Sequence, residues 1–335
     1  MKPFCRIAAA CAVLLSPAAA HAYSALYVFG DSLSDAGNVL LATSAPGSPV
    51  SPQPVPPYAN GQFSNGPTWV QDLSVSLGLG AEQPSLLGGN DYAFGDATTG
   101  YAASNNPAIP SLQQQIQSFN TVQGNSAPST ALYSVWIGAN DLFNILSSGS
   151  TPSQAASAAQ GAAAVETNAI AGLAAKGAKS FIVPLVPNLG ATPDAKAAGA
   201  AAAAAATALT QVYDTALTLG LQALEQADGI SVTIVDSYSL LDAAIADPAA
   251  YGFTDVTDPC YVGAYTGGGT ACTDPNNHLF WDGLHPTAAG HAIIAAEAEY
   301  DLPEPGTVAT LGIGLAGIAR LRRRRFAALL PPRHA

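Results

Sequence analysis

The chain of 335 residues is 49% hydrophobic and only 10% charged, which is enough apolar material for a full core and excludes a disordered chain. Lys2 and Arg6 lie at the N-terminus and six arginines (320, 322, 323, 324, 325 and 333) at the C-terminus, while residues 23–302 hold three lysines against 22 aspartates and glutamates, a formal −19. A nucleic-acid binder needs the opposite sign to neutralise phosphates, so no nucleic-acid partner is expected.

In chain order, residues 1–22 read as a secretory signal peptide. Lys2 and Arg6 supply the positive start, 7–15 the apolar run, and Ala20-His21-Ala22 the small-x-small cleavage pattern. The competing reading is a buried first helix. With cleavage the mature chain starts near Tyr23, leaving 313 residues of the 335.

Four short apolar runs, 25–29, 132–137, 181–186 and 232–235, are continuous rather than alternating, as parallel strands covered on both faces should be. A fifth, shorter strand is expected at 91–94. Between the strands, 68–79 carries Trp69, Val70, Leu73 and Leu77 at helical spacing, and 112–119 carries Leu112, Ile116 and Phe119. Two alanine-rich helical stretches follow, 154–176 and 194–227. The seven alanines at 200–206 favour helix and allow close approach to a neighbour. A last helix, 288–300, has Thr287 as its cap. Alternating strands and helices describe one α/β layer fold around a parallel sheet. The six prolines within 46–57 mark a long surface loop between the first strand and its helix, near the sheet edge where ligands bind in such folds.

The chemistry-bearing residues gather at that edge. Gly30-Asp31-Ser32-Leu33 places a serine just beyond the first strand, with the following helix expected to aim its positive N-terminus at developing charge. A hydroxyl nucleophile needs a base, and the base needs an orienting partner. Of His278, His285 and His291, only His285 has a carboxylate three residues earlier, Asp282, able to curl back to the imidazole. His278 is expected to face solvent and His291 to be structural. A metal set of Asp282, His285 and His291 fits by residue type but by no ligand motif. Asn140, after the second strong strand, can offer an amide N–H to an oxyanion, and Gly95 a backbone N–H. Singly, each of these is also ordinary turn composition.

Two cysteines, Cys260 and Cys272, survive signal removal. They lie 12 apart across Gly267-Gly268-Gly269 and suggest one disulfide in an oxidising compartment, a metal pair being the weaker alternative without CxxC spacing. At the C-terminus, Pro303-Glu304-Pro305-Gly306 precedes an uncharged stretch, 307–319, and then the arginines. Thirteen helical residues span about 20 Å, short of a roughly 30 Å hydrocarbon core.

Taken together, FGDSLSDAGN (29–38), GQFSNGPTW (61–69), NDYAFGDAT (90–98), WIGANDLF (136–143) and FWDGLHPT (280–287) resemble the SGNH, or GDSL, hydrolases over about residues 25–300. The resemblance implies a single domain over 23–301 with a three-layer α/β/α, flavodoxin-like fold and a central, mainly parallel five-stranded sheet. It implies Ser32 as nucleophile, His285 as general base and then acid, Asp282 as its partner, and the Ser32 N–H, Gly95 and Asn140 as oxyanion donors, with no metal or organic cofactor. Gly61 and Gly66 lie in another matching motif; Gly95 is preferred because it ends a strand. Relatives often carry Gly-Gly where this chain has Gly95-Asp96. The activity implied is a secreted serine esterase or lipase of the lysophospholipase/hemolysin-like branch, acting on lipid or simple acyl esters. The alternatives are a deacetylase of surface polysaccharide and a non-catalytic matrix or adhesion protein on the same scaffold.

The tail, 302–325, resembles the PEP-CTERM sorting signal of Gram-negative bacteria, with 326–335 trailing it. It implies an exosortase-type partner, transient inner-membrane anchoring, cleavage, and delivery to the cell surface or extracellular matrix. The competing reading is an ordinary C-terminal membrane anchor.

Overall fold

A computed structural model describes residues 23–101 and 108–303. The expected signal peptide, and the sorting tail beyond residue 303, lie outside the described residues. Four parallel strands, β1 (Leu26–Gly30), β2 (Leu132–Trp136), β3 (Ser180–Pro184) and β4 (Ser231–Val235), pair in that order. Every residue of β1 and β2 is buried, as continuous apolar runs require.

Alternation along the strands sends their side chains into two cores. One holds Tyr27, Phe29, Tyr133, Val135, Phe181 and Val183. It is covered by α3 (Leu112–Val122), α5 (Pro152–Ala175) and α7 (Ala200–Asp228), which contribute Phe119, Ile170, Leu173, Leu217 and Leu221. The other holds Leu26, Val28, Leu132, Trp136, Ile182 and Val235 under α2 (Trp69–Ser76) and α9 (Ala288–Asp301). Trp69 of α2 meets Trp136 edge-on at 5.3 Å. Burying each such side chain is worth roughly 1.5–3 kcal/mol. The result is an α/β/α sandwich of helices on both faces of a parallel sheet.

The fifth strand is reduced to an extended segment at 91–94 on the outer side of β1, where only Asp91 forms a bridge, to Val28. Tyr92 N–H still donates to the Val28 carbonyl at 2.8 Å and Phe94 N–H to the Gly30 carbonyl at 3.2 Å. The ladder fails between them because buried Gln115 takes its place: Gln115 Oε1 accepts the Gly30 N–H at 3.0 Å, and its Nε2 donates to the Gly30 carbonyl at 2.8 Å. The sheet therefore has four strands rather than five.

Three helices open with a Ser/Thr-x-x-Gln capping box: Thr68 with Gln71, Ser111 with Gln114, and Thr151 with Gln154. Thr287 caps α9 by accepting the Gly290 N–H. The stretch 194–227 is two helices, α6 (Pro193–Ala197) and α7, because Gly199 between them adopts φ 103°. The alanine run does not serve as a broad packing face: within 200–206 only Ala206 is buried. Close approach occurs where α7's Ala203 carbonyl crosses Gly190, a Cβ on which would lie 2.1 Å away.

The loop at 46–57 runs along the surface, and Val55 N–H ties its end to the Tyr265 carbonyl at 2.8 Å. Tyr265 follows β5 (Tyr261–Ala264), which forms an antiparallel hairpin with β6 (Gly267–Ala271). The Cys260–Cys272 disulfide closes that hairpin with a Cα separation of 4.9 Å. Among the described residues, no helix is long and apolar enough to cross a membrane.

Candidate active site

The chain leaves β1 toward 91–94 on one side and later returns through β2 on the other, so the crevice at the carboxyl ends of β1 and β2 is a topological switch point. Gly30 permits the close approach there, since a Cβ would lie 2.4 Å from the Trp136 carbonyl oxygen. Asp31 then coils the chain: its carboxylate accepts the Leu33 N–H at 3.0 Å, and its carbonyl accepts the N–H groups of Ser34 and Asp35. This turn presents Ser32 to the crevice. Burial pushes the Asp31 carboxyl up to about 7, with the Leu33 bond and the charge of His285 opposing.

The helix after β1 does not face Ser32. It is α1 (Asn38–Ser44), six residues further on, and Asp35 covers its N-terminus by accepting the N–H groups of Gly37, Asn38 and Val39. The helix start that adjoins the site is that of α4 (Ala139–Ser147), which carries Asn140 in its first turn. Gly138 before it has φ 114° and packs so tightly that a Cβ would lie 2.4 Å from the Tyr213 ring.

Ser32, His285 and Asp282 come together. Ser32 Oγ is 2.8 Å from His285 Nε2, and His285 Nδ1 is 2.8 and 3.0 Å from the two Asp282 oxygens. A carboxylate only accepts, so the proton sits on Nδ1, and Nε2 is free to accept from the serine hydroxyl. Asp282 Oδ1 also accepts the N–H groups of Leu284 and His285 at 2.9 and 2.8 Å, the three-residue curl that the spacing implied. Gly283 lets the turn lie against Asp194, whose Oδ1 would be 1.9 Å from a Cβ. Burial alone would raise the Asp282 carboxyl, but the His285 charge and these hydrogen bonds hold it below its ordinary value. Burial likewise depresses His285, and the charge and hydrogen bond of Asp282, with Asp31 and Asp194 beyond, more than reverse this.

One member was missed from sequence. Tyr58 OH donates to Asp282 Oδ2 at 2.8 Å from a fully packed position. Its signal was an aromatic residue at the end of a proline-rich loop, which names no partner 224 residues away.

For the oxyanion, Asn140 Nδ2 donates one N–H to the Ala97 carbonyl at 2.9 Å and has a second for the cleft. Gly95 lines the cleft, but its N–H already donates to Asp35 Oδ2 at 2.9 Å. The glycine is also required sterically, since a Cβ would lie 2.2 Å from the Phe63 ring. Gly61 and Gly66 are packing positions against Leu40 and Ala288. His291 is buried, accepts the Trp69 N–H on Nδ1 at 3.3 Å, and is lowered to about 3 by burial and then by the His285 charge, a structural residue. His278 is half-buried rather than open to solvent, 3.8 Å from Asp255. Among the described residues, no three His, Cys, Asp or Glu side chains are placed to hold a metal ion.

The site opens into a cleft of about 390 Å³. Its lining includes Phe63, Gly95, Ile109, Asn140, Phe143 and Tyr265. An apolar arm of the lining is made by Ile293 and Ile294 of α9 and Leu240, Leu241 and Ala244 of α8 (Ser237–Ala246).

Residues 26–298 match the family described as GDSL-like lipase/acylhydrolase, and residues 301–325 match the PEP-CTERM protein-sorting motif. A GDSL esterase/lipase of Arabidopsis thaliana is 28% identical over 79% of this chain and 82% of its own length. The phosphatidylcholine-sterol acyltransferase of Aeromonas hydrophila is 26% identical over 83% of this chain and 89% of its own. The thermolabile hemolysin of Vibrio parahaemolyticus is 25% identical over 79% of this chain and 60% of its own.

Proposed function

The chain belongs to the GDSL-like lipase/acylhydrolase family and is a carboxylic ester hydrolase, and we propose that it works through an acyl-enzyme on Ser32 with a medium or long acyl chain in the α8–α9 arm. The observation that carries this reading is the unbroken set of bonds from Ser32 Oγ through His285 to Asp282, opening onto an apolar cleft. Ser32 Oγ attacks the ester carbonyl carbon while its proton passes to His285 Nε2, and Asp282 stabilises the imidazolium. The tetrahedral oxyanion takes the Ser32 N–H and the open Asn140 N–H; Gly95 joins them only through the N–H that it shares with Asp35. Collapse breaks the ester C–O bond, and the leaving alcohol receives the proton from Nε2. Water then attacks the acyl carbon as Nε2 takes its proton, and the acyl C–Oγ bond breaks as Ser32 Oγ takes that proton back, releasing the acid.

An acetyl group would leave the α8–α9 arm empty, which favours acyl lipids over acetylated glycans. A relative named for phosphatidylcholine is consistent with that choice. The sorting motif indicates export from a Gram-negative cell. Beyond that, signal peptide 1–22, hydrolase domain 23–301 and tail 302–325 form an export route in which exosortase-type machinery receives the tail at the inner membrane and the enzyme passes to the surface or matrix.

The test is hydrolysis of nitrophenyl esters from two to sixteen carbons, alongside acetate release from acetylated glycans, with Ser32→Ala in parallel. Turnover that peaks at medium or long chains and disappears in Ser32→Ala is expected. Turnover retained by Ser32→Ala would remove the acyl-enzyme, and activity confined to acetyl glycans would replace the substrate class.

A further inference from the structure

The Tyr58 bond to Asp282 Oδ2 has a construction of its own. Tyr58 is 2% exposed, and its ring is boxed edge-on by Tyr261 at 5.3 Å, Tyr265 at 5.5 Å and Trp281 at 6.0 Å. Tyr261 in turn stacks on Trp281 at 5.5 Å. The walls of this box belong to two segments laid side by side: Cys260 N–H donates to the Phe280 carbonyl at 3.0 Å and Tyr261 N–H to the Trp281 carbonyl at 2.6 Å. The disulfide hairpin is therefore bonded directly to the residues that lead into Asp282. The loop bearing Tyr58 is tied to the same hairpin through Val55 N–H and the Tyr265 carbonyl.

We propose that Tyr58 is a positioning residue of the triad, and that the Cys260–Cys272 hairpin is the clamp that holds it against Asp282. The inference rests on the triad reading above. Asp282 Oδ1 is fixed by two backbone N–H groups besides His285 Nδ1, whereas among the described residues Oδ2 has only His285 Nδ1 and Tyr58 OH. With Tyr58 in place both oxygens are pinned and the carboxylate plane faces the imidazole. The phenol also draws charge from the carboxylate. Without it Asp282 is a stronger partner for the imidazolium, and His285 becomes harder to deprotonate.

Two readouts test this. Tyr58→Phe keeps the ring and removes the bond; kcat is expected to fall about tenfold with KM nearly unchanged, and the acid limb of kcat/KM to move to higher pH. Independently of turnover, the titration of the His285 ring followed by NMR is expected to move upward in Tyr58→Phe. The second variant, Cys260→Ala/Cys272→Ala, leaves Tyr58 intact and is expected to shift both quantities in the same direction by a smaller amount. A Tyr58→Phe enzyme with unchanged kcat and an unchanged His285 titration overturns the positioning role. If Tyr58→Phe does not fold, the cysteine variant decides, and a wild-type kcat and titration there overturn the clamp. Failure of the triad reading is recognised separately, by turnover surviving in Ser32→Ala.

Discussion

Ala244 is the residue on which the substrate reading can be tested most sharply. It is buried, lines the apolar arm, and lies seven residues along α8 from Ser237, about 10 Å at the helical rise. Each buried methylene is worth about 0.8 kcal/mol, so kcat/KM should climb about fourfold per carbon until the arm is full. Ala244→Phe fills part of the arm and displaces about four methylenes, or about 3 kcal/mol. Esters of ten carbons should then lose on the order of 10²-fold in kcat/KM while those of two to four carbons keep their rates. The assay is the nitrophenyl ester series on both enzymes, with Ala244→Leu as an intermediate step. Equal losses at every chain length would refute the reasoning, because they would place Ala244 in the general packing rather than against the acyl chain.

Three further outcomes are expected. Asn140→Ala should lower kcat by roughly 10²–10³, the usual cost of an oxyanion donor, and a near-normal kcat in stopped assays would remove Asn140 from that role. The acid limb of kcat/KM should lie above the ordinary histidine value, since Asp282 more than offsets the burial of His285, and activity should be lost as pH falls through it. Thermal stability should run the other way. Burial raises Asp31 to about 7, Asp35 to about 6, Glu82 to about 7 and Asp214 to about 8, so their favourable protonated state is complete below the ordinary carboxylate range and is lost as pH rises through those values. Calorimetry should show the melting temperature falling by roughly 5 °C or more between pH 5 and pH 8.5, and a rise over that interval would contradict it.

What could be read from the sequence was local. Asp282 and His285 are three residues apart, so their bond is closed by a turn that the string WDGLHP already specifies, and Ser32 follows a strand whose apolar run is unambiguous. Tyr58 was not legible because its partner is fixed by a hairpin packed around it, and nothing in PPY encodes that packing. The occupied N–H of Gly95 was hidden for the same reason: Asp35 reaches it across 60 residues. Periodicity placed an extended segment at 91–94 but could not show that a glutamine side chain, Gln115, would take the Gly30 N–H needed for another rung. In the alanine run, propensity announced helix, yet identical residues carry no information about which side faces water. The break at Gly199 depends on a left-handed backbone angle that an isolated glycine permits without announcing.

The hydrogen bond from Ser32 to His285 joins residues 253 apart in the chain. Ser32 lies in the turn after the first strand and His285 in the turn before the last helix, with three further strands of the sheet between them. A nascent or partly translocated chain thus carries the serine long before it has a base, and the serine stays as inert as any free hydroxyl. Hydrolytic competence therefore arrives only with near-complete folding, when the last turn and helix have closed on the first strand.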